Sequence, residues 1–245
     1  MQRLLLLIIL VSTLFSCKNE TSKVKNDKKE IQNELLGYLY TTTNGEGENQ
    51  VVQLSRFNDG SLGDEKVYLT KGKGGSDHSA PAHGDYDAQG NLKIIGDYLL
   101  TTNPGDHSIS VFNLNKKNGN LTFNSIIGSE GERPVTIDFA PVDETKQEYW
   151  VAVGNQWGTP TVLYEGEKLK RYPSDEWLNQ DLTKTHETDK NRSIELFKMN
   201  MATGKLTFIK TLAEYVRENG GPADVKFSPD GSNSCITLGN TTFFC

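Results

Sequence analysis

Alternating hydrophobic and polar positions along this chain predict a β-hairpin that is repeated in nearly the same letters. One copy runs through Ile109–Phe123 and a second through Ile194–Phe208. Each has a strand of β-branched and aromatic residues, a polar turn and a second strand. In both copies a phenylalanine precedes the turn glycine, Gly119 or Gly204, by seven positions. A third copy, Val51–Leu62, has a turn that is one residue shorter.

A second repeated motif has a proline, a short apolar strand and an aromatic residue five positions after the proline. Its copies are Pro81–Gly90, Pro134–Pro141 and Pro222–Gly231. An apolar strand follows each, at Tyr98–Asn103, Tyr149–Val153 and Cys235–Leu238. A repeated four-stranded unit must stack on its own copies to bury both faces, which predicts an all-β propeller. The predicted inner strands are Pro81–Asp87, Ile137–Phe139 and Val225–Phe227.

These motifs resemble the lactonase-type seven-bladed propellers, which include 6-phosphogluconolactonase and the carboxymuconate-cycloisomerising enzymes. The residues that carry the resemblance are Gly131–Val135, Gly220–Pro222, Phe227–Gly231, Tyr98–Leu99 and Ile109–Phe112. The resemblance covers roughly residue 37 to the end of the chain. It implies a lactonase-type β-propeller and, as a possible activity of that family, the opening of a lactone.

The length of the chain predicts about four blades of an expected seven, at roughly 40–50 residues each. The first strand, Leu36–Thr43, reads as the second strand of a blade, with no inner strand before it. We therefore expect the N-terminal part of a longer, C-terminally truncated protein. An open half-propeller that closes by dimerising is the alternative, and open sheet edges favour self-association.

The N-terminus is typical of a bacterial lipoprotein signal. A basic start precedes the apolar run Leu4–Leu14, and Leu14–Cys17 resembles a lipobox. We predict a signal peptide and lipid-attachment Cys17 over residues 1–17, a disordered tether over 18–35 and the partial propeller over 36–245. The protein would then be lipid-anchored in the cell envelope, in the periplasm or at the outer membrane. An ordinary secretory signal with an incidental cysteine is the alternative.

Composition narrows the choice of partners. The formal net charge is −6 and no basic cluster is interleaved with aromatic residues, so nucleic acid is excluded as an expected partner. We expect contact with a membrane only through the lipid anchor. Cys235 and Cys245 can form a disulfide in an oxidising compartment or remain without a structural role. No cofactor and no metal are predicted, because His78 and His83 with the nearby aspartates match no zinc or calcium spacing.

A long insertion over about 155–191 separates two strands of one blade. It contains four aromatic residues, Trp157, Tyr164, Tyr172 and Trp177. Segments of this length are often lids or binding loops. The aromatic rings can stack on a sugar-like ligand or fasten the loop to the blade surface.

Repeat-related positions at the start of inner strands supply the candidate site, because these positions converge on the central channel of a propeller. We predict that His83 acts as a general base and that Arg133 binds a carboxylate or phosphate of the substrate. The predicted substrate-binding residues are His78, Asp85, Thr136 and Asp224. Alternatively, these polar residues only solvate the channel or form turns.

Two functions of different classes remain open. The first is an extracytoplasmic lactonase that hydrolyses a sugar-acid lactone, with a small-molecule lactone or sugar acid as its partner. An unphosphorylated sugar lactone suits the predicted envelope location better than a phosphorylated cytosolic metabolite does. The second is a non-catalytic binding or scaffold propeller at the cell envelope, or an inactive truncated fragment. The sequence contains no Gly-x-Ser-x-Gly nucleophile motif.

Overall fold

The computed structural model describes residues 33–45, 47–75, 88–156, 162–165, 168–171, 192–215, 221–228, 234–238 and 241–244. Backbone contacts divide the chain into two units, Met1–Asn33 and Glu34–Cys245. All strands below belong to the second unit. In the described ranges the chain forms strands and turns without a helix, so none of them holds a helix able to cross a membrane. Cys17, the predicted signal and most of the predicted tether lie outside these ranges.

In the described residues, four antiparallel sheets of three or four strands follow one another along the chain, and we refer to them as the first to fourth blade. The first consists of β1 (Leu35–Thr42), β2 (Glu48–Phe57) and β3 (Leu62–Lys73). The second consists of β4 (Leu92–Ile95), β5 (Tyr98–Asn103), β6 (Ser108–Leu114) and β7 (Leu121–Gly128). Consecutive strands pair throughout these two sheets. This architecture is the all-β repeat that the sequence predicts.

The third blade is interrupted by the long insertion. It begins with β8 (Pro134–Pro141) and β9 (Glu148–Asn155), continues after a separate hairpin of β10 (Val162–Glu165) and β11 (Lys168–Arg171), and ends with β12 (Ser193–Asn200) and β13 (Leu206–Glu214). The fourth contains β14 (Pro222–Phe227), β15 (Ser234–Leu238) and β16 (Thr241–Phe244). The insertion therefore includes one regular hairpin, which the sequence analysis does not predict. Trp157, Tyr172 and Trp177 lie outside the described residues.

All three predicted hairpins are confirmed, and each turns at a glycine in the left-handed region. The φ angles are +84° at Gly60, +67° at Gly119 and +71° at Gly204. In the two longer copies the glycine N–H donates to the carbonyl four residues earlier, at 2.7 Å for Gly119 and 2.8 Å for Gly204. Glycine reaches these φ values without the steric cost that a Cβ imposes. The spacing between phenylalanine and glycine is thus a real turn signature.

The predicted inner strands are confirmed in two of the blades. The predicted strands within β8 and β14 lie at sheet edges, as inner strands should. The predicted strand Pro81–Asp87 lies outside the described residues, and the edge strand that pairs with β5 is β4, Leu92–Ile95. The two-residue turn Gly96–Asp97 joins them, with Gly96 at φ +58°. Glycine followed by aspartate is a known signal for such a turn.

Apolar side chains fill the spaces between successive blades. One cluster lies between the second and third blades and includes Leu100, Val111, Ile137, Val153 and Phe197. A second lies between the first and second blades and includes Val51, Leu99, Phe112 and Leu121. All six residues of β5 are buried, because neighbouring blades cover both faces of its sheet. Stacking of sheets is therefore the main source of hydrophobic burial.

A buried asparagine ends the second strand of the second blade and ties it to the first blade. Asn103 Nδ2 donates to Ser108 Oγ at 3.0 Å and to Ser110 Oγ at 2.8 Å, and its Oδ1 accepts from Asn49 Nδ2 at 3.1 Å. Gly72 of the first blade lies against this side chain, and a Cβ at that glycine would collide with the Asn103 amide. The junction therefore combines satisfied hydrogen bonds with close backbone approach.

The junction between the second and third blades repeats this design. Asn155 Nδ2 donates to Ser193 Oγ at 3.3 Å and to the Ser129 carbonyl at 3.2 Å. A Cβ at Gly131 would collide with the Asn155 amide and lie 2.7 Å from Ser193 Oγ. The same glycine–asparagine–serine contact thus fastens two successive blade junctions.

One residue departs from the repeat at this junction. Glu195 stands in the third blade where Ser110 stands in the second, each opposite the residue two positions before the junction asparagine. Glu195 Oε2 and Asn155 Oδ1 are buried acceptors that receive no hydrogen bond from the described residues. Burial raises the pKa of the Glu195 carboxyl above its ordinary value, and the nearby charges of Glu130 and Glu214 raise it further, against the opposing hydrogen bonds of Ser193 and Thr211. A carboxyl is therefore buried at the position where the second blade has a serine hydroxyl.

Replacing Gly131 by alanine should destabilise the protein. The new Cβ must displace the Asn155 amide or Ser193, and overpacking of a buried site costs about 1–3 kcal/mol. The matched control is Gly45→Ala, because no atom lies within 4 Å of the Cβ added there. Urea unfolding of both variants measures the difference. Equal midpoints for the two variants would show that the junction can yield without cost.

Replacing Glu195 by glutamine should stabilise the protein at pH 7. Because the folded pKa is raised, the contribution of Glu195 is fully present below its unfolded value of about 4.3 and is lost as pH rises through the folded value. Glutamine does not titrate, and its amide supplies a hydrogen-bond donor worth about 1 kcal/mol. Thermal unfolding from pH 4 to pH 8 should show an advantage of the variant that grows with pH. The control Glu144→Gln changes an exposed residue and should give parallel curves.

Candidate functional site

The edges of three blades meet at their inner strands. Ile137 N of β8 donates to the Gly90 carbonyl just before β4, at 3.0 Å. On the other side, Phe227 N of β14 donates to Asp138 Oδ2 of β8 at 2.7 Å. Asp138 Oδ1 lies 3.5 Å from Lys93 Nζ of β4, and both side chains are largely buried. Polar groups therefore link the three inner strands to one another.

The inner-strand cluster consists of Gly90, Thr136, Asp224 and Lys226. Thr136 Oγ1 of β8 donates to Asp224 Oδ1 of β14 at 2.8 Å, and Lys226 Nζ lies 2.7 Å from the same oxygen. A Cβ added at Gly90 would lie 3.1 Å from both Asp224 Oδ1 and Thr136 Oγ1, so the backbone passes close to the cluster. Three blades thus contribute to one polar arrangement.

Asp224 is held in its ionised form. Burial by itself raises the pKa of this carboxyl, but hydrogen bonds from Lys226 and Thr136, the charge of Lys226 and the Val225 N–H lower it by more in total. The resulting pKa lies below the ordinary value, so the carboxylate is charged at neutral pH. An exposed fraction of 29% for Asp224 and 47% for Lys226 leaves both groups accessible to solvent. Together they offer a charged acceptor and a charged donor to a ligand rich in hydroxyl and acidic groups.

A second group of contacts, the junction cluster, lies where β8 begins and consists of Gly75, His107, Arg133 and Gln156. Arg133 N donates to His107 Nδ1 at 3.0 Å, and Arg133 Nη1 donates to the Gly75 carbonyl at 3.3 Å. The Arg133 carbonyl accepts from Gln156 N at 3.1 Å. Burial lowers the pKa of His107, as does the charge of Arg133, against the opposing charges of Glu132 and Asp106. His107 is therefore a neutral imidazole at pH 7.

The structure brings together two of the six predicted site residues, Thr136 and Asp224. Arg133 lies immediately before β8, three positions before Thr136, and belongs to the junction cluster. The remaining predictions, His78, His83 and Asp85, lie outside the described residues. Their roles stay predictions from the sequence.

Sequence reasoning missed Asn91, Lys226 and His107. Asn91 is the register equivalent of Thr136. Its carbonyl accepts from the N–H of Thr102, the residue before Asn103, and Thr136 pairs with Gly154, the residue before Asn155. The Asn91 side chain donates to Thr42 Oγ1 at 2.7 Å. The Gly96–Asp97 turn could have revealed this register, since it fixes which residues of β4 oppose β5. Lys226 follows Asp224 by two positions and shares its strand face. His107 had no signal, because it belongs to a connection that the repeats do not match.

The described ranges contain no group of three or more histidine, cysteine, aspartate or glutamate side chains that could hold a metal ion. The polar groups on the inner strands are instead paired with one another.

Consecutive antiparallel blades whose inner edges adjoin define a β-propeller. The family model described as "Lactonase, 7-bladed beta-propeller" matches residues 35–170, which is more than half of the chain. The chain therefore belongs to the family of seven-bladed β-propeller lactonases. This match confirms the resemblance found in the repeated motifs.

Solved structures that match the chain include a candidate 6-phosphogluconolactonase from Bacteroides fragilis, with 16% identity, a TM-score of 0.36 and coverage of 82% of this chain and 60% of that one. A candidate 6-phosphogluconolactonase from Bacteroides uniformis has 14% identity, a TM-score of 0.34 and coverage of 81% and 62%. The periplasmic gluconolactonase PpgL of Pseudomonas aeruginosa has 15% identity, a TM-score of 0.36 and coverage of 83% and 61%. The chain thus spans about 60% of the length of these proteins. No curated protein sequence matches it.

Proposed function

We propose that the protein is an extracytoplasmic, lipid-anchored propeller that hydrolyses a sugar-acid lactone at the inner-strand cluster. The observation that carries this proposal is the meeting of Thr136, Asp224 and Lys226 between adjoining inner strands of a lactonase-family propeller. Ligands of ring-shaped folds bind where equivalent strands converge. The charged carboxylate and ammonium match the hydroxyl and acidic groups of a sugar acid.

The charge state of Asp224 suits it to binding rather than to proton abstraction. A carboxylate with a lowered pKa holds protons weakly, so it is a poor base but a strong acceptor for substrate hydroxyl groups. Asp224 Oδ1 already receives hydrogen bonds from Thr136, the Val225 N–H and Lys226. Oδ2 receives none from the described part of the chain, which makes it the oxygen available to a ligand.

The chemical step needs a base with a pKa nearer to neutrality, and we propose His83 for it. The base takes a proton from water as the water oxygen attacks the lactone carbonyl carbon. The ring carbon–oxygen bond then breaks, and the leaving alkoxide takes up a proton to give the hydroxy acid. Arg133 binds the carboxylate or phosphate of an anionic substrate, with His78, Asp85 and Thr136 as further substrate contacts.

Replacing Asp224 by asparagine should raise KM for sugar lactones roughly tenfold or more with a smaller change in kcat, because a charge-assisted hydrogen bond is lost in substrate and transition state alike. His83→Ala should instead lower kcat by roughly 100-fold, the usual effect of removing a general base. A pH-stat assay over neutral, carboxylated and phosphorylated sugar lactones measures both.

The control for this assay is Asp97→Asn, an exposed aspartate that pairs with Lys116 and should leave the kinetics unchanged. A wild-type chain that opens no lactone above the spontaneous rate would contradict the proposed activity. If such a chain still bound sugar acids, a non-catalytic binding propeller would be the better account.

Replacing Cys17 by serine should abolish lipid labelling and release the protein from membranes, because the acyl chains on that cysteine provide the attachment. Metabolic labelling with a fatty acid and membrane fractionation in a bacterial host measure the two effects. Cys235→Ser serves as a control and should leave both unchanged. Membrane retention of the Cys17 variant equal to that of the wild type would show that another feature anchors the chain.

A further inference from the structure

Two residues that contact each other, His107 and Arg133, both have a strained backbone. His107 has a φ of +58° and Arg133 a φ of +53°, both in the left-handed region that L-residues with a side chain seldom adopt. Such conformations persist only where surrounding contacts hold them, and they are frequent at ligand sites. Contacts around Arg133 must therefore hold its backbone in this conformation.

Three segments of the chain fix Arg133. The His107 ring accepts its N–H, the Gln156 N–H donates to its carbonyl, and its guanidinium donates to the Gly75 carbonyl. The two contacts to the Arg133 backbone come from His107 in the β5–β6 connection and from Gln156 just after β9. The contact to its guanidinium comes from Gly75, just after β3. Among these partners only His107 can change its hydrogen-bonding character within the physiological pH range.

The contact with His107 requires one protonation state. Nδ1 accepts the Arg133 N–H, so the ring proton of the neutral imidazole is on Nε2. An imidazolium carries protons on both nitrogens and cannot accept. The charged groups that act on this ring from the described residues are Asp106, Glu132 and Arg133, and burial together with the guanidinium keeps the ring neutral at pH 7.

We propose that His107 is a positioning residue for Arg133: its neutral Nδ1 holds the Arg133 backbone so that the guanidinium can bind the anionic group of a ligand, and protonation of the ring releases it. This proposal rests on the proposed function for the role of Arg133. It adds a residue outside the repeats and a dependence on pH. The position of Arg133, three residues before Thr136, sets the anionic end of the ligand near the start of β8.

Two variants distinguish the effect of the hydrogen bond from Arg133 N to His107 Nδ1 from the effect of protonating the His107 ring. His107→Asn tolerates the left-handed conformation and keeps an acceptor oxygen near the place of Nδ1, but it does not titrate. His107→Gly also tolerates the conformation and removes the acceptor. The comparison of wild type with His107→Asn does not depend on the folding of the glycine variant.

The first measurement follows the Arg133 backbone amide by ¹⁵N NMR between pH 4.5 and 8. In the wild type this signal should move with the titration of the His107 ring, at a midpoint below the ordinary histidine value of about 6.5. In His107→Asn it should be independent of pH over this range. An Arg133 amide that does not respond to the ring titration in the wild type would overturn the proposal.

The second measurement is binding of D-gluconate, a carboxylated sugar acid, by titration calorimetry. At pH 7.5 His107→Gly should bind gluconate roughly tenfold more weakly than wild type, because the contact between Arg133 and the gluconate carboxylate loses its geometry. His107→Asn should bind gluconate about as well as wild type, because it keeps the acceptor. The affinity of the wild type for gluconate should also fall as the pH is lowered. The affinity of His107→Asn should fall less over the same range. Equal affinities for all three proteins, or no binding to wild type, would overturn the proposal. Gluconate binding without lactone opening would refute the proposed activity and leave this inference standing.

Discussion

Burial of both faces of each sheet is the constraint on which the rest of the structure depends. A single sheet leaves both of its faces in water, so β5, with every residue buried, is stable only between two neighbouring blades. The clusters around Leu99 and Leu100 lie on opposite sides of that strand. Repetition is therefore a physical requirement, because each blade supplies the cover that its neighbour needs.

Apolar stacking alone does not set the register between blades, and the buried asparagines add that specificity. Asn103 and Asn155 end equivalent strands, and each bonds to a serine at the start of the strand paired with its own. Each asparagine also lies against a glycine, Gly72 of β3 or Gly131 of the connection after β7. A shift by one residue would break these hydrogen bonds in a dry environment, where unsatisfied polar groups are costly. Glu195 departs from this pattern, because a buried carboxyl stands in the third blade where the second blade has Ser110.

Local turn chemistry explains which parts of the fold the sequence could reveal. The hairpins at Gly60, Gly119 and Gly204 depend on a few neighbouring residues, so their letters repeat and the strands follow. In the second blade the proline motif predicts an inner strand at Pro81–Asp87, which lies outside the described residues, and the Gly96–Asp97 turn pairs Leu92–Ile95 with β5. The proline motif does not include this turn, and the pairing register that the turn sets is a property of the sheet.

The same reasoning explains why the site was only partly predictable. Thr136 and Asp224 could be found because they occupy the same place in two repeats, and the fold carries that place to adjoining edges. His107 could not be found in this way, because it contacts Arg133 across 26 positions from a connection without a repeat equivalent. Inner-strand positions must be extended and polar enough for the channel, but the fold does not specify which polar residue each carries. Asn91, Thr136 and Asp224 therefore differ while their strands remain alike, because the backbone pairing that builds each strand does not depend on these side chains.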